Sequence, residues 1–274
     1  MQLGIFAKTF RGNTPIEILT GARDAGYQAV QYNMACSGLS SLPLEIPEEM
    51  AGAVCMASVE TGIVVAAVSA TYNMVHPNMR EREMGRQSFS TIASVAHLMG
   101  TRLLTLCTGS CDSQNQWRYH PNNDTAPAWE EMCREFQLLL GIADKEDVLL
   151  GVEPELANII SSAERARKLL DTFHNDRIRI VLDPANLFEI ASPAEQRKLV
   201  EDAIALLGDS IELAHAKDRL SDGHFAAAGT GVLDYGHYLT VLKRSGFDGA
   251  LITHGLEAHE AKEVGEFLKS KLVS

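Results

Sequence analysis

Short apolar segments alternate with longer amphipathic segments along the chain, and this alternation limits the folds that the sequence can adopt. Several of the short segments are rich in β-branched residues and apolar on both faces, which is typical of strands buried in a parallel sheet. Parallel strands need crossover connections, and the amphipathic segments supply a helix for each one. The eight predicted strands are residues 3–7, 29–32, 64–70, 103–107, 149–152, 178–182, 211–214 and 250–253.

The predicted helices have recognisable starts. Thr14-Pro15-Ile16-Glu17 has a capping residue followed by proline at the first helical position, and Ser192-Pro193-Ala194-Glu195 repeats the pattern. Ser161-Ser162-Ala163-Glu164 has the spacing of a capping box. Apolar residues at helical spacing predict helices over 81–99, 128–143, 163–173, 235–245 and 259–272.

Eight strands that alternate with eight helices predict an α/β fold, and the economical form is a single closed (β/α)8 TIM barrel. The chain has 274 residues, and such barrels have about 250 residues. We therefore expect one domain over residues 1–274. A doubly wound open sheet is the alternative, but no GxGxxG follows the first predicted strand, which argues against a dinucleotide-binding fold.

Charge and hydropathy exclude several classes of partner. The net charge is −12 and the basic residues are scattered, so we expect no binding to nucleic acid. The first residues, MQLGIFAKTF, do not form a signal peptide, and no apolar run approaches the length that spans a membrane. Five cysteines at irregular spacing indicate reduced thiols, and a cytoplasmic location is expected.

Four potential metal ligands follow the last four predicted strands, and in a parallel barrel the active site forms at these carboxyl ends. Glu153 follows the fifth strand, Asp183 the sixth, His215 the seventh and His254 the eighth. Two carboxylates and two imidazoles suit Mn²⁺, Zn²⁺, Fe²⁺ or Co²⁺ better than Ca²⁺, which prefers oxygen ligands. The sequence therefore predicts a divalent metal site at this rim, although Mg²⁺ also remains open.

Further polar residues near the same rim are predicted to contact substrate. Lys217 and Glu155 each lie two positions beyond a predicted ligand, so they share its side of an extended strand. Alternatively, Lys217 is a surface lysine paired with Asp218, or Asp218 orients His215. The irregular stretch 109–126 is long enough to indicate a functional loop. The remaining predicted substrate contacts are His76, Trp117, Arg118, His120 and Asn186.

These motifs carry a family resemblance over nearly the full length. The chain resembles the xylose isomerase-like TIM barrel superfamily of sugar phosphate isomerases and epimerases, which shares its barrel with endonuclease IV. The resemblance implies a divalent metal held by Glu, Asp, His and Glu after the last four strands, and it leads us to expect a homo-oligomer. The stretches that carry it are Val152-Glu153-Pro154-Glu155, Val181-Leu182-Asp183-Pro184-Ala185-Asn186-Leu187, His215-Ala216-Lys217-Asp218 and Gly229-Thr230-Gly231-Val232-Leu233-Asp234-Tyr235.

The first three implied ligands fall on Glu153, Asp183 and His215, whereas the fourth position carries His254 in place of glutamate. In sugar epimerases of this superfamily the two glutamates also resemble an acid/base pair. We therefore expect isomerisation or epimerisation of a small sugar or polyol through a metal-stabilised enediolate, with Glu153 as base and His254 or Lys217 as its partner.

Two other activities stay open. An inosose dehydratase-like lyase would use the same metal but expel water, and a catalytically reduced sugar-binding barrel would explain the missing fourth glutamate. An endonuclease IV-like nuclease is opposed by the charge and by Asn186, which stands where that branch has histidine.

Overall fold

The computed structural model describes residues 1–272, and these residues form one closed barrel of eight parallel strands. The predicted TIM barrel is therefore confirmed, and the open sheet is excluded because the last barrel strand pairs with the first, Gln2 opposite Ala250. The predicted domain, 1–274, includes two residues outside the described range. The barrel strands are β1 (Gln2–Phe6), β2 (Ala29–Tyr32), β3 (Val64–Ser69), β4 (Leu103–Leu106), β5 (Leu149–Val152), β6 (Ile178–Leu182), β7 (Ile211–Ala216) and β10 (Ala250–Thr253).

Two features of the strands differ from the prediction. Strand β7 continues to Ala216, so His215 lies inside the strand rather than after it. A two-stranded antiparallel hairpin, β8 (Asp218–Arg219) and β9 (Phe225–Ala226), follows β7 and was not predicted. Each of its strands has only two residues, which is too short for a hydrophobic period to show.

The α-helices pack around the barrel, and capping residues set several of their starts. Thr14 and Ser192 each cap their helix as predicted, and each forms a capping box with the glutamate three residues on. The capping box predicted over residues 161–164 does not form, because Ser162 caps α5 and accepts the backbone N–H of Arg165. The predicted helix 81–99 is divided, because α3 ends at Val95 and a 3₁₀ turn, His97–Met99, follows it. The helices are α1 (Pro15–Asp24), α2 (Glu48–Thr61), α3 (Met79–Val95), α4 (Ala126–Glu146), α5 (Ala163–Phe173), α6 (Pro193–Leu207), α7 (Tyr235–Arg244) and α8 (Ala261–Leu272).

Within residues 1–272, none of the helices combines the length and the apolar character needed to cross a membrane.

The larger hydrophobic core lies between the strands and the helices, and a smaller one fills the barrel interior. The smaller core includes Ala29, Leu103, Val181, Leu213 and Ile252. Because side chains alternate along a strand, the inward-facing residues two positions further on lie one layer nearer the carboxyl ends. That next layer is polar, and it forms the floor of the site.

Candidate active site

A cavity of about 500 Å³ opens at the carboxyl ends of the barrel strands. Its lining follows the two-residue alternation, since Gln31, Thr105 and His215 each lie two positions after a residue of the small interior core. Ligand pockets of about 300–1,000 Å³ are usual for small molecules. The cavity is therefore of a suitable size for one small substrate.

The four predicted metal ligands meet in this cavity. Glu153, Asp183, His215 and His254 each offer one donor atom, and these atoms lie within 4.8 Å of one another. His215 Nδ1 is 3.2 Å from Glu153 Oε1 and 3.9 Å from Asp183 Oδ2. His254 Nε2 is 3.2 Å from Asp183 Oδ2. Ligands bound to one cation at about 2.1 Å lie roughly 3.0–3.4 Å apart, so the two shortest of these distances already match those between bound ligands.

The charges in the cluster favour the ligand forms of these side chains. Burial alone would raise the pKa of Asp183, but Lys217 and His254 outweigh it and hold that pKa well below its usual range. Burial also opposes ionisation of Glu153, yet its pKa is lowered because His215 favours the carboxylate. Burial, followed by the neighbouring His215, lowers the pKa of His254. At neutral pH the site therefore offers two carboxylates and a neutral His254 imidazole.

A hydrogen-bond chain inside the barrel fixes the His215 ring. His215 Nε2 lies 2.8 Å from Gln31 Oε1, while the Gln31 amide nitrogen donates to Ser69 Oγ and Thr105 Oγ1, each at 3.0 Å. Because the Gln31 amide nitrogen is occupied as a donor, its oxygen accepts from the Nε2–H of His215. That bond leaves His215 Nδ1, which lies 3.2 Å from Glu153 Oε1, as the ring nitrogen that would bind a cation. Outer-sphere partners orient metal-binding histidines in this way.

Asn186 and Cys107 hold the Glu153 carboxylate. Asn186 Nδ2 donates to Glu153 Oε1 at 2.9 Å, and the Cys107 thiol lies 3.8 Å from Glu153 Oε2. Burial, together with the Glu153 charge, raises the pKa of Cys107, so its sulfur carries a proton to donate. Asn186 was predicted to bind substrate; the structure places its amide against Glu153. Cys107 was not predicted, although its position two residues after Thr105 marks it as inward-facing.

Lys217 is buried in the cavity rather than paired with Asp218 at the surface. Its Nζ lies 3.1 Å from Asp183 Oδ2 and donates to Asn186 Oδ1 at 3.3 Å. The Phe225 ring of the hairpin covers it, with Nζ 3.7 Å from the ring centroid. This arrangement places the Lys217 ammonium directly beside the predicted metal ligands and shields it from water.

Asp218 contributes to the loop that follows instead of to the cluster. Its carboxylate accepts backbone N–H groups of Gly229 and Gly231 at 3.1 Å and of Leu233 at 2.9 Å. Those bonds tie the loop after the hairpin to the end of β7.

Glu155 and Trp117 also line the cavity. Glu155 Oε2 accepts from the Ala157 backbone N–H at 3.0 Å, and burial raises its pKa. The Trp117 side chain stands half exposed at the mouth.

The structure does not bring the other three predicted contacts to the cavity lining. Arg118 pairs with Asp112 at 3.3 Å on the outer side of the loop. His120 accepts from the Asn122 backbone N–H, where it caps a 3₁₀ turn. His76 lies 3.0 Å from the Ser113 carbonyl and borders a neighbouring depression.

Solved structures of low sequence identity share this fold over almost the whole chain. A 3-keto-D-glucoside 4-epimerase from E. coli is 14% identical, with a TM-score of 0.77 and coverage of 98% of this chain and 99% of that one. A D-tagatose 3-epimerase-like protein is 15% identical, with a TM-score of 0.76 and coverage of 100% and 97%. A D-allulose 3-epimerase from Methylomonas sp., in complex with D-allulose, is 14% identical, with a TM-score of 0.74 and coverage of 99% and 97%.

A search of curated protein sequences found no match. The profile of one protein family, described as xylose isomerase-like TIM barrel, matches residues 19–271. This match covers most of the chain and confirms the resemblance carried by the strand-end motifs. The chain belongs to the xylose isomerase-like TIM barrel family.

Proposed function

We propose that this protein is a divalent-metal-dependent isomerase or epimerase of a small sugar or sugar derivative. The observation that carries the proposal is the partly buried cluster of Glu153, Asp183, His215 and His254 at the floor of the cavity. The names of several structural relatives, among them 3-epimerases of D-allulose and L-ribulose, agree with a sugar as the substrate.

The chemistry of these four residues fits a cation such as Mn²⁺, Zn²⁺, Fe²⁺, Co²⁺ or Mg²⁺. Carboxylate oxygens and neutral imidazole nitrogens are ligands for these ions. Asp183 Oδ1 accepts the Ala185 backbone N–H at 2.9 Å, which leaves Oδ2 facing the two histidines. When bound, the cation would act as a Lewis acid that polarises a substrate carbonyl and its neighbouring hydroxyl.

The residues around the cluster suit proton transfer at the carbon next to that carbonyl. Glu153 is the proposed base, because it is ionised and its carboxylate is oriented by Asn186 and Cys107. Lys217 or His254 is the proposed partner that returns a proton on the other side. Lys217 carries transferable protons within the cavity, and His254 stands where related epimerases would have a second glutamate.

The experiment that tests this function measures the exchange of a substrate proton with the solvent. Incubation with ketoses in D₂O should incorporate deuterium at the reacting carbon, as measured by NMR, after loading with Mn²⁺ or Co²⁺. Glu153→Gln should reduce this exchange by at least about 10²-fold, the lower range for losing a general base. Glu257→Gln is the matched control, since Glu257 is an exposed carboxylate three residues beyond His254.

The two alternative functions give different results. An inosose dehydratase-like lyase would yield a product lighter by one water, visible by mass spectrometry. A sugar-binding barrel would bind ketose without isotope exchange. If no divalent cation binds and Glu153→Gln leaves sugar binding unchanged, the metalloenzyme proposal is wrong.

A further inference from the structure

We propose that the substrate carries a carboxylate, and that Lys8 and Asn33 bind it on the side of the cavity formed by β1 and β2. The substrate class is thus a sugar acid that contains a hydroxy-carbonyl group. This inference rests on the proposed isomerase or epimerase function, which accounts for the end of the substrate that reacts. It adds a carboxylate at the other end of the substrate.

Lys8 lies in the 3₁₀ turn Ala7–Thr9 that follows β1, Asn33 caps the turn that follows β2, and both residues line the cavity. Lys8 lies two positions after Phe6, and Asn33 lies two positions after Gln31; all four residues line the cavity. Phe6 and Gln31 are register partners, because β1 and β2 are neighbouring parallel strands. Lys8 and Asn33 therefore emerge side by side at the carboxyl ends of adjacent strands.

Asn33 presents to the cavity an amide donor that has no acceptor in the described part of the protein. The side chain is 6% exposed, and its Oδ1 accepts the Ala35 backbone N–H at 3.0 Å, which caps the 3₁₀ turn after β2. Within residues 1–272 its amide nitrogen has no hydrogen-bond partner, while the residue lines the cavity. This N–H₂ group is therefore available to an acceptor on a molecule bound in the cavity.

Lys8 supplies an unopposed positive charge beside that donor. Across the described part of the chain it forms no ion pair with a carboxylate, although the protein as a whole carries a net charge of −12. The acidic groups of the cavity floor, Glu153 and Asp183, already face His215, His254 and Lys217. Lys8 is exposed at the rim, so an anion can pair with it there without first breaking an ion pair, while the carboxylate of Glu155 lines another part of the cavity.

The donors fit a carboxylate better than a phosphate. One ammonium and one amide N–H₂ offer donors for two oxygens, and no arginine is among the residues that line the described cavity. The size of the cavity also suits a monosaccharide that reaches both ends, because Lys8 and Asn33 line the same cavity of about 500 Å³ as Glu153, His215 and His254. A short chain with its carbonyl at the cluster can thus place a carboxylate at Lys8.

The test compares substrates that differ only at carbon 6. Binding to the Mn²⁺-loaded enzyme is measured by calorimetry for D-fructose, D-fructuronate and D-fructose 6-phosphate, and for the same trio in the D-tagato series. We expect the better uronate to bind about 10-fold or more tightly than its neutral ketose, the range for a hydrogen bond to a charged group. Lys8→Met should remove this preference and leave the affinity for the neutral ketose unchanged.

Two further variants separate a direct contact from a general charge effect. Lys262→Met removes an equal charge from the exposed surface of α8 and should leave the preference intact. Asn33→Asp keeps the oxygen that caps the turn but replaces the amide donor by a carboxylate. It should weaken uronate binding at least 10-fold while ketose binding stays within a factor of about two.

The inference is overturned if uronates bind no better than ketoses, if Lys8→Met weakens both equally, or if the 6-phosphates bind more tightly than the uronates. If deuterium exchanges into a neutral ketose and Lys8→Met changes no binding affinity, the sugar-acid substrate is rejected while the proposed function stands. Uronate binding that depends on Lys8, without any deuterium exchange, would support the sugar acid as the ligand and reject the proposed isomerase or epimerase function.

Discussion

Replacement of Gln31 by leucine tests how far the cation site depends on a residue that does not reach the cation. Gln31 accepts from His215 Nε2 at 2.8 Å inside the barrel, and His215 is only 2% exposed. Leucine has similar bulk but no acceptor, so the imidazole N–H would be buried without a partner, and the ring would lose the contact that sets its tautomer.

The magnitude follows from these contacts. A buried unsatisfied donor costs about 1–3 kcal/mol, and each kcal/mol lowers Tm by about 2–4 °C in a chain of this order of size. Loss of an outer-sphere partner reduces metal affinity about 10–100-fold, which corresponds to roughly 1.4–2.7 kcal/mol. We therefore expect Gln31→Leu to weaken both folding and cation binding.

Gln31→Glu is the matched variant. A carboxylate still accepts from His215 Nε2, and the hydroxyls of Ser69 and Thr105 can donate to it. Cation affinity should then remain within about threefold of the natural protein, less than the loss expected when the partner is removed. Competition with a fluorescent chelator measures the Kd, and scanning calorimetry measures Tm with and without Mn²⁺. Equal Kd values for all three proteins, or equal losses in both variants, would refute the proposed role of Gln31.

Three further changes test other parts of the structure. Ser192→Ala removes the side-chain cap of α6 and should cost about 1 kcal/mol by denaturant unfolding. Hydrogen bonds from Ser192 hold the pKa of Glu195 below its usual value, so their contribution to stability is present at neutral pH and is lost as pH falls through that pKa. Gly231→Ala places a Cβ in steric overlap with the Arg219 carbonyl oxygen, and it should lower Tm without changing cation affinity in the folded protein. His254→Glu adds a charge to the cluster, and it should lower the Tm of the metal-free protein while shifting cation preference from Zn²⁺ towards Mn²⁺ or Mg²⁺. Unchanged unfolding curves, or an unchanged order of cation affinities, would contradict the corresponding prediction.

The barrel and the four clustered side chains were predictable because both follow from strand periodicity. Eight apolar segments gave the strands, and polar residues at the ends of the last four gave Glu153, Asp183, His215 and His254. The same alternation of side chains, continued for two residues past Glu153 and His215, explains why Glu155 and Lys217 reach the cavity. These inferences needed only the direction of the strands and the alternation of their side chains.

Gln31 was missed for a physical reason. It lies within Ala29–Tyr32, whose residues are all buried, and nothing in a four-residue strand distinguishes a polar residue in the barrel interior from one at its edge. Its partner is on a strand across the barrel, so only the closed structure reveals the contact. Arg118 and His120 lie in an irregular loop, where local turns and caps, not periodicity, decide the direction of a side chain.

The contact between Gln31 and His215 joins residues 184 positions apart in the chain. Contacts of such sequence separation form only after a large loss of chain entropy, so they come late in folding. The amino-terminal half holds the acceptor, whereas the carboxyl-terminal half holds His215 and the other three donors of the cluster. Tight cation binding is consequently a property of the closed barrel, and a rise in affinity during refolding would report the moment when the two halves meet.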